Sequence, residues 1–394
     1  MSGDGAGLLT APTEYRRINR QIIGEAPGPT LILVGGIHGN EPSGVIAARR
    51  VLDRLTAEEI PVRGEIVAIN GNLKALNGKQ RYLDRDLNRQ WSERRVESVM
   101  AGNVAGGLDA EDHELKEIWE QIRAAVDRAR GEIYFIDMHT SSADGAPFLT
   151  VGDTLRNRAF AMEVGLPLIL GLEEQVDGAL LEFMNNRGYV TLGIEAGQHD
   201  CPKSIDHHEA VLWRALGTSG AIERSRTPEP ERWIDVLKKA SASTPKVIEV
   251  RRRHAITSED DFRMRPGYRN FQPVAKKEHL GDDRRGQVRA VESGMILLPL
   301  YQGQGNDGFF LCREFSRLWL VVSTYLRRLK LEGLMHWLPG VSQHPEFERT
   351  LVVNTRVARF YPLEVFHLFG YRKRRKKGDL LVVSRRRYDR PVSA

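Results

Sequence analysis

Four short apolar runs, each ending in glycine or a polar turn, constrain this 394-residue chain more than any other feature. They are TLILVGG (30–36), RGEIVAIN (63–70), EIYFIDMH (132–139) and GYVTLGIEAG (188–197). Short runs rich in Val, Ile and Tyr read as buried strands. Between them lie segments with helically spaced apolar residues. One is GVIAARRVLDRLTAEE (44–59), for which Ser43 is the expected N-cap, and another is DAEDHELKEIWEQIRAAVDRAR (109–130). Strands alternating with helices imply an α/β domain, a largely parallel sheet flanked by helices, with its function gathered at the carboxyl ends of the strands.

One such end carries chemistry. In LILVGGIHGNEPSG (31–44) the apolar run stops at paired glycines, and His38 and Glu41 follow three apart. A third candidate, His139, closes the run IYFIDMH. Two imidazoles and one carboxylate that leave a position open for water make up a catalytic zinc site. Zinc suits a mixed nitrogen and oxygen set, and its coordinated water loses a proton near neutral pH. The expectation is one Zn2+ per chain on His38, Glu41 and His139. An isolated HxxE arises by chance in many chains, so the weight falls on the ligand from a second strand end.

Composition bounds the class. Hydrophobic residues make up 41% and charged residues 28%, as in soluble proteins with a substantial core. No apolar run approaches the roughly 20 residues that span a bilayer. The start, MSGDGAGLLTAPTEYRR, lacks the features of a secretory signal, so a cytoplasmic protein is expected. Cys201 and Cys312 offer neither a disulfide framework nor a CxxC pattern, and read as incidental reduced thiols.

The net charge of +6 is unevenly spread. From Glu314 to the end there are 17 basic and 7 acidic residues, leaving 41 basic and 45 acidic groups in the rest. The high pI therefore belongs to the tail. Four segments are expected: a catalytic domain (1–218), a linker and helix (219–245), a small all-β domain (246–315) and a basic C-terminal extension (316–394). Within the extension, LWLVVSTYL is too short to span but its flanking arginines permit an interfacial helix. YRKRRKKGD suits anionic lipid or nucleic acid. The simpler reading is a solvated extension packed on the body.

GGIHGNEPSG, RYLDRDLNRQW (81–91), IDMHTSS and LGIEAG (192–197) occur in that order and together resemble the succinylglutamate desuccinylase/aspartoacylase family, relatives of zinc carboxypeptidases. The resemblance covers about residues 28–200, and more loosely SGMILLPLYQGQGNDGFF (293–310). It implies a zinc carboxypeptidase-like fold and a hydrolase that removes an acyl group from the nitrogen of an amino acid. By it, His38, Glu41 and His139 are zinc ligands and Glu195 is the general base and acid, a role suited to a strand-end carboxylate. Arg81 is implied to stabilise the oxyanion. Asn88 and Arg89 are implied to hold the substrate carboxylate, for which a guanidinium fork is well shaped.

Asp86 and Asp137 are candidate acceptors behind a ligand histidine or Arg89, while Asp84 and Arg85 read as a solvated loop. The family arginine that reads an acidic side chain has no clear match, since Arg187 stands in another register with Asn185 nearby. The loop 140–150 is expected to line the acyl pocket. Tyr301 is expected either to donate a hydrogen bond in the cleft or to pack in a core. The expected substrate is a small N-acyl amino acid, acetyl- or succinyl-type, and a homo-oligomer is left open. A carboxypeptidase-like peptidase using the same site is the alternative, and a non-catalytic module working through the basic tail is a third.

Overall fold

A computed structural model of the protein describes residues 14–354, 356–357, 363–377, 379–386 and 388–389, leaving aside the side chains of 363–364 and 372–377. Two compact units divide it. The first holds the residues up to Ser141 together with Ile194–Leu237, and the second holds Ser142–Gly193 together with those from Lys238 onward. These limits do not follow the segment boundaries at 218, 245 and 315 expected from composition.

Strands β1 (Ile18–Ile23), β2 (Thr30–Gly35), β3 (Glu65–Asn70) and β4 (Ile133–Ser141) alternate with helices α1 (Ser43–Ala57), α2 (Leu73–Gly78), α3 (Glu93–Met100) and α4 (Ala110–Arg128). Then come β5 (Phe148–Thr150), α5 (Leu155–Val164), β6 (Leu168–Leu170), α6 (Leu180–Asn186), β7 (Val190–Gln198), α7 (Lys203–Ser219) and α8 (Pro230–Ala240). The four runs read from the sequence are β2, β3, β4 and β7.

In the first unit the strand order is β1-β3-β2-β4-β7. β2 runs parallel to β3 and β4, and β1 pairs antiparallel on the edge. β2 and β3 are buried at every residue, as strands covered on both faces are. Ser43 does not cap α1: Pro42 holds that position, and the Ser43 hydroxyl lies inside the helix, 3.3 Å from His208 Nδ1. At the start of α4, Asp109 and Asp112 form a capping box.

In the second unit the first half of β7 continues the order β7-β5-β6, followed by β8 (Val247–Ala255). Strands β9 (Arg263–Met264), β10 (Pro273–Val274), β11 (His279–Asp283), β12 (Gly286–Arg289), β13 (Gly294–Leu297) and β14 (Asp307–Glu314) complete the β-rich segment. β8 pairs in parallel with β6 and antiparallel with β14. The segment 246–315 is therefore not self-contained, since its first strand extends the sheet begun by β5 and β6. Only β12-β11-β9 stand apart as a three-stranded sheet. The core shows the same continuity, with Phe148 and Ile169 packed among Ile248, Leu297 and Phe310.

The basic extension is a folded element. Helices α9 (Arg317–Arg328) and α10 (Leu363–Leu368) accompany the antiparallel strands β15 (Val341–Gln343), β16 (Thr350–Asn354), β17 (Tyr371–Lys377) and β18 (Leu380–Arg385), in the order β15-β16-β18-β17. It has a core of its own, including Met335, Leu351, Val353, Phe366 and Val383. Some of its charge is spent internally. Arg327 is fully buried and donates to Asp153 Oδ2 (3.0 Å), Asp389 Oδ1 (3.2 Å) and the His367 carbonyl (3.0 Å).

Removing one partner of a buried ion pair strands the other charge. Arg327→Met is expected to lower the stability of the full chain by about 3 kcal/mol in urea unfolding. An unchanged midpoint would show that these pairs contribute nothing net.

Candidate metal centre

The first unit builds the site from two parallel strand ends and one loop. Where β2 stops, Gly36 adopts a φ of 73°, in the left-handed region open to glycine. A Cβ on Gly39 would stand 2.0 Å from the Ala75 carbonyl carbon, so only glycine lets this turn settle on α2. The turn is tied to the loop by Gly39 N–H donating to the Arg81 carbonyl (3.1 Å). His38 and Glu41 leave this turn, and His139 leaves β4.

Glu41 is the centre. Its Oε1 lies 2.8 Å from His38 Nδ1, and its Oε2 lies 3.1 Å from His139 Nδ1. Oε2 also accepts from the Thr140 backbone N–H (3.0 Å), and Oε1 from Arg81 Nη1 (3.3 Å). Each imidazole is held from behind by a carboxylate: His38 Nε2 lies 3.1 Å from Asp86 Oδ1, and His139 Nε2 lies 3.1 Å from Asp137 Oδ1. Asn88 Nδ2 stands 3.4 Å from His139 Nε2.

The donor set fits a divalent cation on three counts. One nitrogen or oxygen from each of His38, Glu41 and His139 lies within 4.8 Å of the others. Carboxylates on both Nε2 atoms leave both Nδ1 atoms facing inward, the outer-shell pattern that orients metal-binding histidines. Finally, Glu41, Asp86 and Glu195 face the guanidinium groups of Arg81 and Arg89 while Asp137 stands behind His139, which leaves two negative charges unbalanced when all six are ionised.

The same charges shift one another's protonation. Burial would raise Glu41 and Asp86, yet His38 and His139 hold Glu41 well below the usual carboxylate range. His38, Arg81 and Arg89 do the same for Asp86. Burial would lower His139, but Asp137 and Glu41 hold it well above an ordinary histidine. Glu195 goes the other way. It lies on the half of β7 in this unit, and burial pushes it up to about 8, with Glu41 and Asp137 adding to the rise and His139 and Arg81 opposing it. Its Oε2 is shut off from solvent, with no hydrogen-bond partner among the described residues.

The loop 79–86 carries Arg81 and Asp86 without regular structure, and one side chain shapes it. Glu111, buried at the start of α4, accepts from the backbone N–H groups of Leu83 (2.8 Å), Asp84 (2.9 Å) and Arg85 (3.2 Å), and from Asn72 Nδ2 (2.9 Å). Arg81 Nη2 donates to Asp86 Oδ2 (3.3 Å). Arg89 Nη1 donates to the Asn88 carbonyl (3.0 Å) and lies 3.9 Å from Asp86. Asp84 and Arg85 are braces, Asp84 accepting from Ala110 N–H and Arg85 pairing with Asp109. The acidic group Asp84, Asp109 and Glu111 is thus already committed to the loop.

Sequence reasoning passed over Glu111, because a glutamate two residues past an N-cap reads as solvated. It also passed over His199, whose Nδ1 lies 2.8 Å from Thr140 Oγ1, and the fully buried His208, which burial lowers to about 3. The remaining candidates belong to the second unit. Tyr301 donates to the Arg265 carbonyl (2.8 Å) and accepts from Tyr268 N–H (2.9 Å), and the residue is 39% exposed, so it is not a core tyrosine. Arg187 lies with its guanidinium 3.6 Å from the centre of the Phe183 ring. Asn185 Oδ1 accepts from Asn157 Nδ2 (2.7 Å) in a buried polar network.

A mixed α/β fold with a candidate metal centre at the carboxyl ends of its parallel strands defines the class. Residues 27–210 match the family model described as succinylglutamate desuccinylase/aspartoacylase catalytic domain. A curated succinylglutamate desuccinylase of Pseudomonas fluorescens (strain SBW25) is 33% identical over 72 residues, a match spanning 18% of this chain and only 22% of the relative. Solved structures share the fold. The succinylglutamate desuccinylase/aspartoacylase of Rhodobacter sphaeroides aligns with a TM-score of 0.55 at 20% identity, over 75% of this chain and 88% of its own. The ectoine utilization protein EutE (DoeB) of Ruegeria pomeroyi aligns at 0.54 and 18%, over 74% and 87%. Among the described residues no helix is long and apolar enough to cross a membrane.

Glu111→Gln replaces an acceptor oxygen with a donor against backbone N–H groups. It is expected to cost about 2 kcal/mol in urea unfolding, the scale of leaving buried donors unsatisfied. Wild-type stability in that variant would free the loop from dependence on Glu111.

Proposed function

We propose that the chain is a zinc-dependent deacylase that hydrolyses the amide of a small N-acyl amino acid, with Glu195 moving the proton. The observation that carries this reading is Glu41 held between two Nδ1 atoms, with the carboxyl of Glu195 subject to the charges of His139, Glu41 and Arg81 in the same cluster. The relatives' printed names, succinylglutamate desuccinylase and aspartoacylase, support an acyl–nitrogen bond as target.

Bound by His38, Glu41 and His139, zinc would supply Lewis acidity and a water acidified to near neutrality. The rest falls to the chain. Glu195 takes a proton from the attacking water as its oxygen bonds to the acyl carbon, and returns that proton to the amine nitrogen as the carbon–nitrogen bond breaks. A carboxyl drawn toward neutral pH by burial can do both. Arg81 is held by Asp86 and Glu41 and stays charged, placed to steady negative charge growing on the carbonyl oxygen. Arg89 and Asn88 bind the substrate carboxylate, with Asp86 fixing the reach of Arg89.

N-acetyl and N-succinyl amino acids compared with dipeptides, read by amine release from the zinc-loaded chain, test the reading. Faster turnover of dipeptides would assign a peptidase instead. Glu195→Gln is expected to retain zinc and lose at least about a hundredfold in kcat, the scale of general acid–base catalysis. Near-normal turnover would remove Glu195 from the proton path. Arg89→Lys keeps the charge but loses the fork, so KM should rise with kcat little changed. An unaltered KM would take substrate binding away from Arg89.

A further inference from the structure

Helix α9 turns an apolar face outward. Its inward face is Leu320, Ser323 and Arg327, all buried. Ser323 Oγ donates to the Leu368 carbonyl (2.7 Å), and Arg327 is committed to Asp153 and Asp389. The opposite face is apolar and bare: Leu318 (68% exposed), Trp319 (51%), Val321 (51%), Tyr325 (61%) and Leu329 (66%). At 3.6 residues per turn these five fall within an arc of roughly 160° centred opposite Arg327. A contiguous apolar face of this kind marks a contact surface.

Charge selects the occupant. Arg317, Arg328 and Lys330 are exposed; on the helical wheel Arg317 and Arg328 border one side of the apolar arc, and Lys330 follows just past the end of the helix. The helix contains no acidic residue. The nearest in sequence are Glu314, which precedes its cap, and Glu332, which pairs with Arg385. A two-fold contact between copies would set this face against itself, bringing like charges together on α9. Nucleic acid would satisfy the cations but leave the leucines in water. An anionic lipid surface satisfies both, taking the apolar side chains below the headgroups, the Trp and Tyr rings at their level, and the basic groups against phosphate.

We propose that α9 is an interfacial helix that docks the protein on an anionic membrane surface. Twelve residues cannot cross a bilayer, so the attachment is peripheral and reversible.

Flotation of the full chain with vesicles of equal parts phosphatidylglycerol and phosphatidylcholine, against phosphatidylcholine alone, tests this. The protein should float with the anionic vesicles only, and less so as salt rises. Arg317→Gln with Arg328→Gln should weaken partitioning roughly thirtyfold at low salt, from the contribution of two basic side chains near a charged surface. Leu318→Glu with Leu329→Glu should abolish it. Both pairs are solvent-facing, and unchanged urea midpoints would show the variants folded. Wild-type protein that stays with neither vesicle, or binding that survives the two glutamates, overturns the proposal. So does a dimer that ignores vesicles and dissociates on the same two substitutions, which would assign the face to a second copy.

Discussion

A single carboxylate holds the site together. Glu41 is buried, and each of its oxygens faces the Nδ1 of a histidine from a different stretch of chain, one from the turn after β2 and one from β4. Burying a carboxylate in a protein is costly unless positive charge or hydrogen-bond donors meet it. Here the compensation comes from two imidazoles, Arg81 and the Thr140 N–H. The same need extends outward to Asp86 and Asp137, which sit behind the imidazoles. With this many carboxylates packed together, Asp137 and Glu41 outweigh burial and hold His139 well above an ordinary histidine.

The scaffold divides its labour between rigid strands and a braced loop. Parallel pairing of β2 with β4 fixes the spacing of the two histidine-bearing ends, Gly35 standing opposite Met138 in register. The loop carrying Arg81 and Asp86 has no sheet to hold it, and Glu111 substitutes by accepting three consecutive backbone N–H groups. A loop so braced can present a guanidinium and an imidazole-orienting carboxylate at fixed positions, which is what a preorganised site requires.

The sequence made the first unit legible because its chemistry and its periodicity coincide. β2, β3, β4 and β7 are unbroken apolar runs, and the residues ending β2 and β4 are the ones that meet at Glu41. Asp86 and Asp137 were readable as supports because each lies within a few residues of a candidate ligand or clamp. What sequence could not show was set by distance along the chain. Glu111 acts on amides 26 to 28 residues away. β5 and β6, three residues each, are too short for a pattern, so the sheet linking them to β8 was read as a separate β segment. The extension read as basic and solvated because composition does not reveal pairing, and Arg327 finds Asp153 across 174 residues.

His38, Glu41 and His139 bring one donor atom each to within 4.8 Å of the others, and the proposed function needs them to hold one cation. Equilibrium dialysis of the metal-stripped full chain against zinc, read by elemental analysis, tests this most directly. One zinc per chain is expected, and His38→Ala and His139→Ala should each lose it while retaining the wild-type circular dichroism spectrum. Zinc bound equally well by both variants, or no zinc bound by the wild type, would contradict the account.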